Sequence, residues 1–217
     1  MQIQSPFAAI TRSLDGAVFE VLVRAHTPMS VAEIARSTEN SYAGVRSCVL
    51  RLAAQGTVRA SPAGKLTLYS FNSDHILAPA IREIVGAKAR LWELVAELIT
   101  QTFADQPLYA AVFGSAATGA MREDSDIDIY LERPVRADHD RFDVDAESLA
   151  WQVSRLTGNE VRPLIYGEDE VTGAMADQRV LSDIARDGVA VAGDAAGFRR
   201  RLRRGARAGT AHAAHRP

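Results

Sequence analysis

Two short clusters in this 217-residue chain have residue types and spacing suited to phosphate and metal chemistry. The first is Gly114-Ser115, at the end of the apolar run Leu108 to Phe113. The second is Asp126-Ile127-Asp128, which starts eleven residues after Ser115 and leads into Ile129, Tyr130 and Leu131. A glycine lets the backbone come close to a phosphate. A serine hydroxyl and the N–H groups opening a helix can hold phosphate oxygens. Side chains alternate along a strand, so Ile127, Ile129 and Leu131 share one face, and Asp126 and Asp128 share the other. Two neighbouring carboxylates repel each other, and a divalent cation between them relieves the repulsion. Mg²⁺ is a hard ion that takes a few carboxylates and keeps places for phosphate oxygens. The two clusters together suit a metal-bound triphosphate and in-line displacement at phosphorus. The plainer alternative for the aspartates is a solvated strand face beside a loop.

The surrounding pattern supplies elements to position these residues. A strand over 108–113 leads through a tight turn into a short small-residue helix, and a second strand runs over 126–131. A helix at about 143–156 places Val144, Leu149, Val153 and Leu156 inward, and Gly158 stops it. A further strand spans 160–166, where Pro163 predicts a sheet edge or strand end. Glu168, Asp169 and Glu170 look like the acidic start of the next helix. A helix over 174–187, with Val180, Leu181 and Ile184 inward, and a short strand over 189–193 close the region. A long helical pattern over 76–103 precedes it.

Gly-Ser followed at this distance by Asp-hydrophobic-Asp on a strand resembles the polymerase β-like nucleotidyltransferase superfamily, in its minimal form. The resemblance covers about residues 77–193. It implies transfer of a nucleoside monophosphate from an NTP, with ATP as the expected donor, to a hydroxyl of a protein, an RNA or a small molecule, with pyrophosphate released. It implies that Gly114 and Ser115 hold the triphosphate and that Asp126 and Asp128 bind Mg²⁺ or Mn²⁺. The family's third carboxylate lies on the next core strand and helps to activate the hydroxyl. Here the middle of that strand has Arg162 and Pro163. Glu160 is the acid within it that could serve, as catalytic base; Arg162 could instead contact a phosphate or the substrate. This departure keeps open a second reading, a DNA-binding transcriptional regulator whose nucleotidyltransferase domain senses nucleotide or is inactive. A place in a toxin–antitoxin or defence pair also fits the resemblance.

The first third of the chain predicts three helices and a hairpin. Val18, Phe19, Leu22 and Val23 fall on one face of a helix over 15–25. Ser30, with Glu33 three residues on, is a capping-box pattern before a short helix at 31–37. Ser41 caps a longer helix that ends at Gly56, and Ser61-Pro62-Ala63-Gly64 turns between two alternating segments. Over roughly 14–71 this order resembles a winged helix-turn-helix domain, whose third helix enters the major groove and whose hairpin touches the backbone. The resemblance implies DNA contacts from Ser41, Tyr42, Arg46, Ser47, Arg51, Arg59 and Lys65, on a helix with no acid among residues 41–55. A solvated basic face for protein contacts is the alternative. Homodimerisation is an expectation from such domains alone. Cys48 sits on the apolar face and reads as core.

Composition sets the outer limits. Hydrophobic residues make up 47% and charged residues 24% of the chain, ordinary for a folded protein. There is no run of about 18 apolar residues to span a membrane and no signal-peptide pattern at the start. With Cys48 as the single cysteine, no disulfide can form within the chain, and the cytoplasm is the expected compartment. The net charge of −2 is unevenly spread. Residues 1–75 have seven basic and five acidic side chains, residues 76–198 have eleven and twenty-two, and residues 199–217 have seven and none. An acidic middle argues against polyanion binding there and suits cations; the basic ends suit nucleic acid. The expected fold class is a two-domain α/β (α+β) protein. A winged helix over 1–75 precedes a nucleotidyltransferase fold over 76–198, with a small mixed sheet flanked by helices. A basic tail over 199–217 is expected to be disordered or a frayed helix, where His212 and His215 could at most form a weak metal pair.

Overall fold

The computed structural model describes residues 1–173 and 179–213, with side chains described up to residue 206. It is a mixed α+β structure with two small sheets. Contacts divide it into two compact units, Gln2–Ala89 and Arg90–Pro217, the latter joined by Met1.

In the first unit, α1 (Asp15–Arg24), β1 (Met29–Ser30), α2 (Val31–Thr38), α3 (Tyr42–Ala54), β2 (Val58–Ala63) and β3 (Leu66–Phe71) follow in order. The strands form an antiparallel sheet in the order β1-β3-β2. Apolar spacing explains the packing: Val18, Phe19 and Leu22 of α1, Ile34 of α2, and Val45, Val49 and Leu52 of α3 meet Val58 and Tyr69 in one core. The Ser30 hydroxyl accepts the Glu33 N–H, and the Glu33 carboxylate accepts the Ser30 N–H, so both orphan donors at the start of α2 are satisfied. The hairpin turns later than the sequence predicts. β2 continues to Ala63, and Gly64, at φ +61°, forms the bend with Lys65. Pro62 is tolerated within β2 because that strand lies at the sheet edge, where an N–H need not be donated.

Helix α4 (Ala78–Thr102) contains the boundary between the units. The second unit continues with β4 (Tyr109–Phe113), α5 (Gly114–Thr118), β5 (Ile127–Arg133), α6 (His139–Thr157), β6 (Val161–Gly167), α7 (Glu168–Thr172), α8 (Arg179–Asp187), β7 (Val189–Gly193) and α9 (Ala195–Ala213). Its sheet runs β6-β5-β4-β7, with β5 and β6 parallel and the other pairs antiparallel. β6 is an edge strand, as Pro163 requires.

One expectation changes here. Helix α6 buries Phe142, Ala146, Leu149 and Val153, whereas Val144 and Leu156 are exposed. The inward stripe is therefore rotated from the one the sequence suggests, and Phe142 stacks edge-on against Phe103. The basic segment after residue 198, expected to be disordered or a frayed helix, is helical through Ala213. Its first turns are held by buried Phe198 and Leu202 and by Arg201, which donates to both oxygens of fully buried Glu132 at 2.5 and 2.7 Å. The start of the helix expected over 174–187 lies outside the described residues, as do the side chains of His212 and His215, which could at most form a weak metal pair.

Candidate active site

The site forms where β4 ends and β5 begins. Phe113 of β4 pairs with Asp128 of β5, so the turn after β4 comes beside the aspartate. Gly114 makes that turn with φ +68°, a region glycine enters without penalty. A Cβ at this position would stand 2.7 Å from Oδ2 of Asp128. Glycine is therefore required twice, for the bend and for the room the carboxylate occupies. Ser115, half-buried, follows in the one-turn helix α5, which Gly119 closes at φ +78°. The structure brings the expected Gly114 beside Asp128, and Ser115 follows it at the start of α5.

Asp126 differs slightly from expectation, since β5 begins at Ile127 and Asp126 is the last residue of the preceding loop. The loop is fixed nonetheless. The buried side chain of Asn159 donates to the Ser125 carbonyl at 2.9 Å, and the Ile127 N–H donates to the Glu160 carbonyl at 2.9 Å. These bonds seat Asp126 against the start of β6. Sequence reasoning missed Asn159; a polar residue after a glycine helix stop gives little signal until its partner across the sheet is known.

β5 and β6 are parallel and in register at Asp128 and Arg162. Arg162 donates to Oδ2 of Asp126 at 2.7 Å through Nη1 and to Oε1 of Glu160 at 3.1 Å through Nε. Glu160 lies just before β6, exposed, with its carboxylate held by this arginine. The expected four residues, Asp126, Asp128, Glu160 and Arg162, thus form one cluster. Burial, then the neighbouring Asp126 carboxylate, push the Asp128 carboxyl above its usual range, against the opposing pull of Arg162. The hydrogen bond to Glu160, then the charge of Asp126, raise the guanidinium of Arg162 further above its already high value.

Among the described residues, no group of three or more His, Cys, Asp or Glu side chains forms a metal-holding cluster. The donor set still suits one kind of ion. Two adjacent carboxylates, one of them destabilised by the other, fit Mg²⁺ or Mn²⁺ that draws its remaining ligands from water and phosphate oxygens. Beside Gly114 a cleft of about 430 Å³ is walled by Phe113, Thr118 and, from α8, Arg179, Val180, Asp183 and Arg186. That volume lies within the range of small-molecule sites. Its arginines are partly engaged, Arg186 with Asp183 at 2.8 Å and Arg179 with Asp183 at 3.8 Å. The α8 residues were not among the sequence candidates, because their approach to Gly114 depends on chain reversal through β7.

In the first unit the basic candidates divide. Tyr42 and Arg46 of α3 and Lys65 of the hairpin line one groove of about 380 Å³, together with exposed Leu50 and Leu66. Arg51 is ion-paired with Asp15, and Arg59 with Asp74, so neither guanidinium is unengaged. The Ser41 hydroxyl accepts the Gly44 N–H as the cap of α3. Ser47 is exposed on α3 but does not line the groove. Cys48 is buried and its thiol donates to Oδ1 of Asp15, with Sγ 3.2 Å from that oxygen; burial, then this bond to Asp15, push the thiol up to about 12.

Residues 94–189 match the family model of the nucleotidyltransferase domain, a stretch that contains Gly114, Ser115, Asp126, Asp128, Glu160 and Arg162. Comparison with curated protein sequences gives no match. Among solved structures, a toxin–antitoxin with AMP-PNP aligns at 15% identity and TM-score 0.39, over 51% of this chain and 80% of that one. A mutant of the toxin–antitoxin MntA-HpeT aligns at 13% identity and TM-score 0.38, over the same shares. Human N-acetylserotonin methyltransferase aligns at 18% identity and TM-score 0.28, over 46% of this chain and 31% of that one. No described helix is long and apolar enough to cross a membrane.

Proposed function

We propose that the second unit is a Mg²⁺- or Mn²⁺-dependent nucleotidyltransferase. It would move a nucleoside monophosphate from an NTP, most simply ATP, to a hydroxyl of a protein, an RNA or a small molecule. The observation that carries this reading is the fit of Gly114 against Asp128: a positive-φ turn opens directly onto the carboxylate of an acidic pair. The family match over 94–189 supports the same class of chemistry.

The bound divalent ion would neutralise charge that develops on the phosphates as the hydroxyl attacks the α-phosphorus and pyrophosphate departs. Asp126 and Asp128 hold that ion. The backbone at Gly114, free of a side chain, allows the triphosphate to come close, and Ser115 offers a hydroxyl to it. Glu160, just before β6 and linked to Asp126 through Arg162, would be the acid to accept the proton of the attacking hydroxyl. The cleft between α5 and α8 takes the nucleoside. The first unit reads as a winged helix that recognises DNA or a target, with Tyr42, Arg46 and Lys65 as its contacts.

A second reading has its own observation. Arg162 stands on the strand where the superfamily resemblance expects an acid, which favours a nucleotide-sensing or inactive domain in a DNA-binding regulator, or in one partner of a toxin–antitoxin pair. One experiment separates them. The full chain is incubated with each α-labelled NTP and Mg²⁺, with and without a cell extract, beside the Asp126→Ala/Asp128→Ala variant. Label transferred to an acceptor, and lost in the variant, establishes the transferase. Mg²⁺-dependent nucleotide binding without transfer selects the sensor. Neither binding nor transfer refutes both uses of the site.

A further inference from the structure

The acidic cluster contains its own cation. Arg162 is mostly solvent-exposed, yet its planar fork reaches two carboxylates at once, Asp126 through Nη1 at 2.7 Å and Glu160 through Nε at 3.1 Å. An ammonium on a lysine stem could not present two fixed donors in this way. Asp128, in register with Arg162, makes no ion pair among the described residues. Three carboxylates and one guanidinium leave a net charge of −2 in the cluster; without the arginine it would be −3. Arg162 also engages Oδ2 of Asp126, one of the two oxygens that could ligate a metal.

We propose that Arg162 is a built-in counter-cation that competes with divalent metal for Asp126, so that metal enters as its complex with nucleotide. The inference rests on the reading of Asp126 and Asp128 as metal ligands. A free divalent ion must displace a positive charge and then remain beside it. A metal–triphosphate brings its own negative charge, to which the released guanidinium turns. Exposed ion pairs are weak, so the exchange is cheap when phosphate oxygens replace the Asp126 oxygen, and unfavourable when nothing does. Release of Nε also frees Glu160 from its present partner. Arg162 thereby acts as a positioning residue: it weakens binding of bare metal and links metal binding to nucleotide binding.

Mn²⁺ titration of the full chain, followed by electron paramagnetic resonance with and without AMP-PNP, tests this. Removing a unit charge about 4 Å from a divalent ion in a largely aqueous setting changes affinity by roughly tenfold or more. Arg162→Gln is therefore expected to bind Mn²⁺ alone about tenfold more tightly than the natural chain, and to gain less from AMP-PNP. Arg162→Glu should bind Mn²⁺ alone more tightly still. If Asp126→Asn weakens Mn²⁺ binding while Arg162→Gln and Arg162→Glu leave it unchanged, the metal site stands and the competition is wrong. If Asp126→Asn alters neither Mn²⁺ nor AMP-PNP binding, the metal-site reading itself falls, and this inference with it.

Discussion

Substituting alanine for Gly114 separates two demands that the structure places on one residue. Gly114 and Gly119 flank the same short helix, both with positive φ, +68° and +78°. A left-handed conformation costs an alanine roughly 1 kcal/mol or somewhat more. Gly119 has open space around its missing Cβ, whereas the Cβ of an alanine at 114 meets Oδ2 of Asp128 at 2.7 Å. That oxygen is the end of a side chain and can rotate aside, so the clash adds little to the loss of stability but moves the carboxylate. Each variant should therefore lose about 1–2 kcal/mol, seen as a fall of about 0.5–1 M in the urea midpoint at a typical slope. Both tryptophans, Trp92 and Trp151, lie in the second unit, so selectively excited tryptophan fluorescence reports on that unit. The variants should part company in Mn²⁺ titrations with AMP-PNP. Gly119→Ala keeps near-natural binding, and Gly114→Ala loses at least about tenfold, one pair of ligands having been disturbed. Equal ion binding by both variants would show that Gly114 serves only the bend, and the site as drawn would be wrong. Undiminished stability of Gly114→Ala would refute the positive-φ turn itself.

Other consequences are checked as directly. Arg201→Ala strands the fully buried carboxylate of Glu132 and should cost about 3–5 kcal/mol in urea unfolding; a loss below about 1 kcal/mol would mean that the pair does not hold α9. The Cys48 thiol, pushed up to about 12, should not react with Ellman's reagent at pH 8 until the first unit unfolds. The folded thiol titrates above its ordinary 9.0, so the thiol contributes stability that is complete below pH 9 and declines as pH rises from there towards 12. Cys48→Ala should flatten that decline, and an unchanged slope would assign it to other groups. If the first unit binds duplex DNA, Arg46→Ala and Lys65→Ala should each lower the salt-dependence slope by about 0.9. Arg51→Ala should change the slope little, because Asp15 already holds that guanidinium; equal slopes for all three would refute the groove as the contact surface.

What the sequence made legible is what depends on near neighbours. Gly-Ser after an apolar run, Asp-Ile-Asp ahead of another, and Ser30 with Glu33 are each closed by contacts a few residues apart or by one hairpin-like pairing. Pro163 announced an edge strand because its missing donor acts wherever the strand lies. The illegible features depend on distant partners. Arg51 and Arg59 look like free cations until Asp15 and Asp74 arrive from other elements. The run after Phe198 looks like a solvated tail until Glu132, sixty-nine residues earlier, is seen to need Arg201. Arg162 reads as a missing acid in the chain and as a bridging cation only once the parallel register sets it beside Asp128.

Strand β5 supplies a physical criterion for separating a structural acid from a reactive one. Asp128, Tyr130 and Glu132 alternate onto one face of the strand, while Ile127, Ile129 and Leu131 take the other. Glu132 is fully buried, and a buried carboxylate persists only if its charge is met; Arg201 meets it through two short bonds. Asp128 is half-buried four residues earlier, with Asp126 repelling it and no ion-pair partner of its own among the described residues. One acid is satisfied by the fold and the other is not. The unsatisfied one faces the turn at Gly114. Arg162, in register with Asp128 on the neighbouring strand, bonds to Asp126 and Glu160 instead, so within the proposed site Asp128 keeps its charge unpaired for an incoming cation.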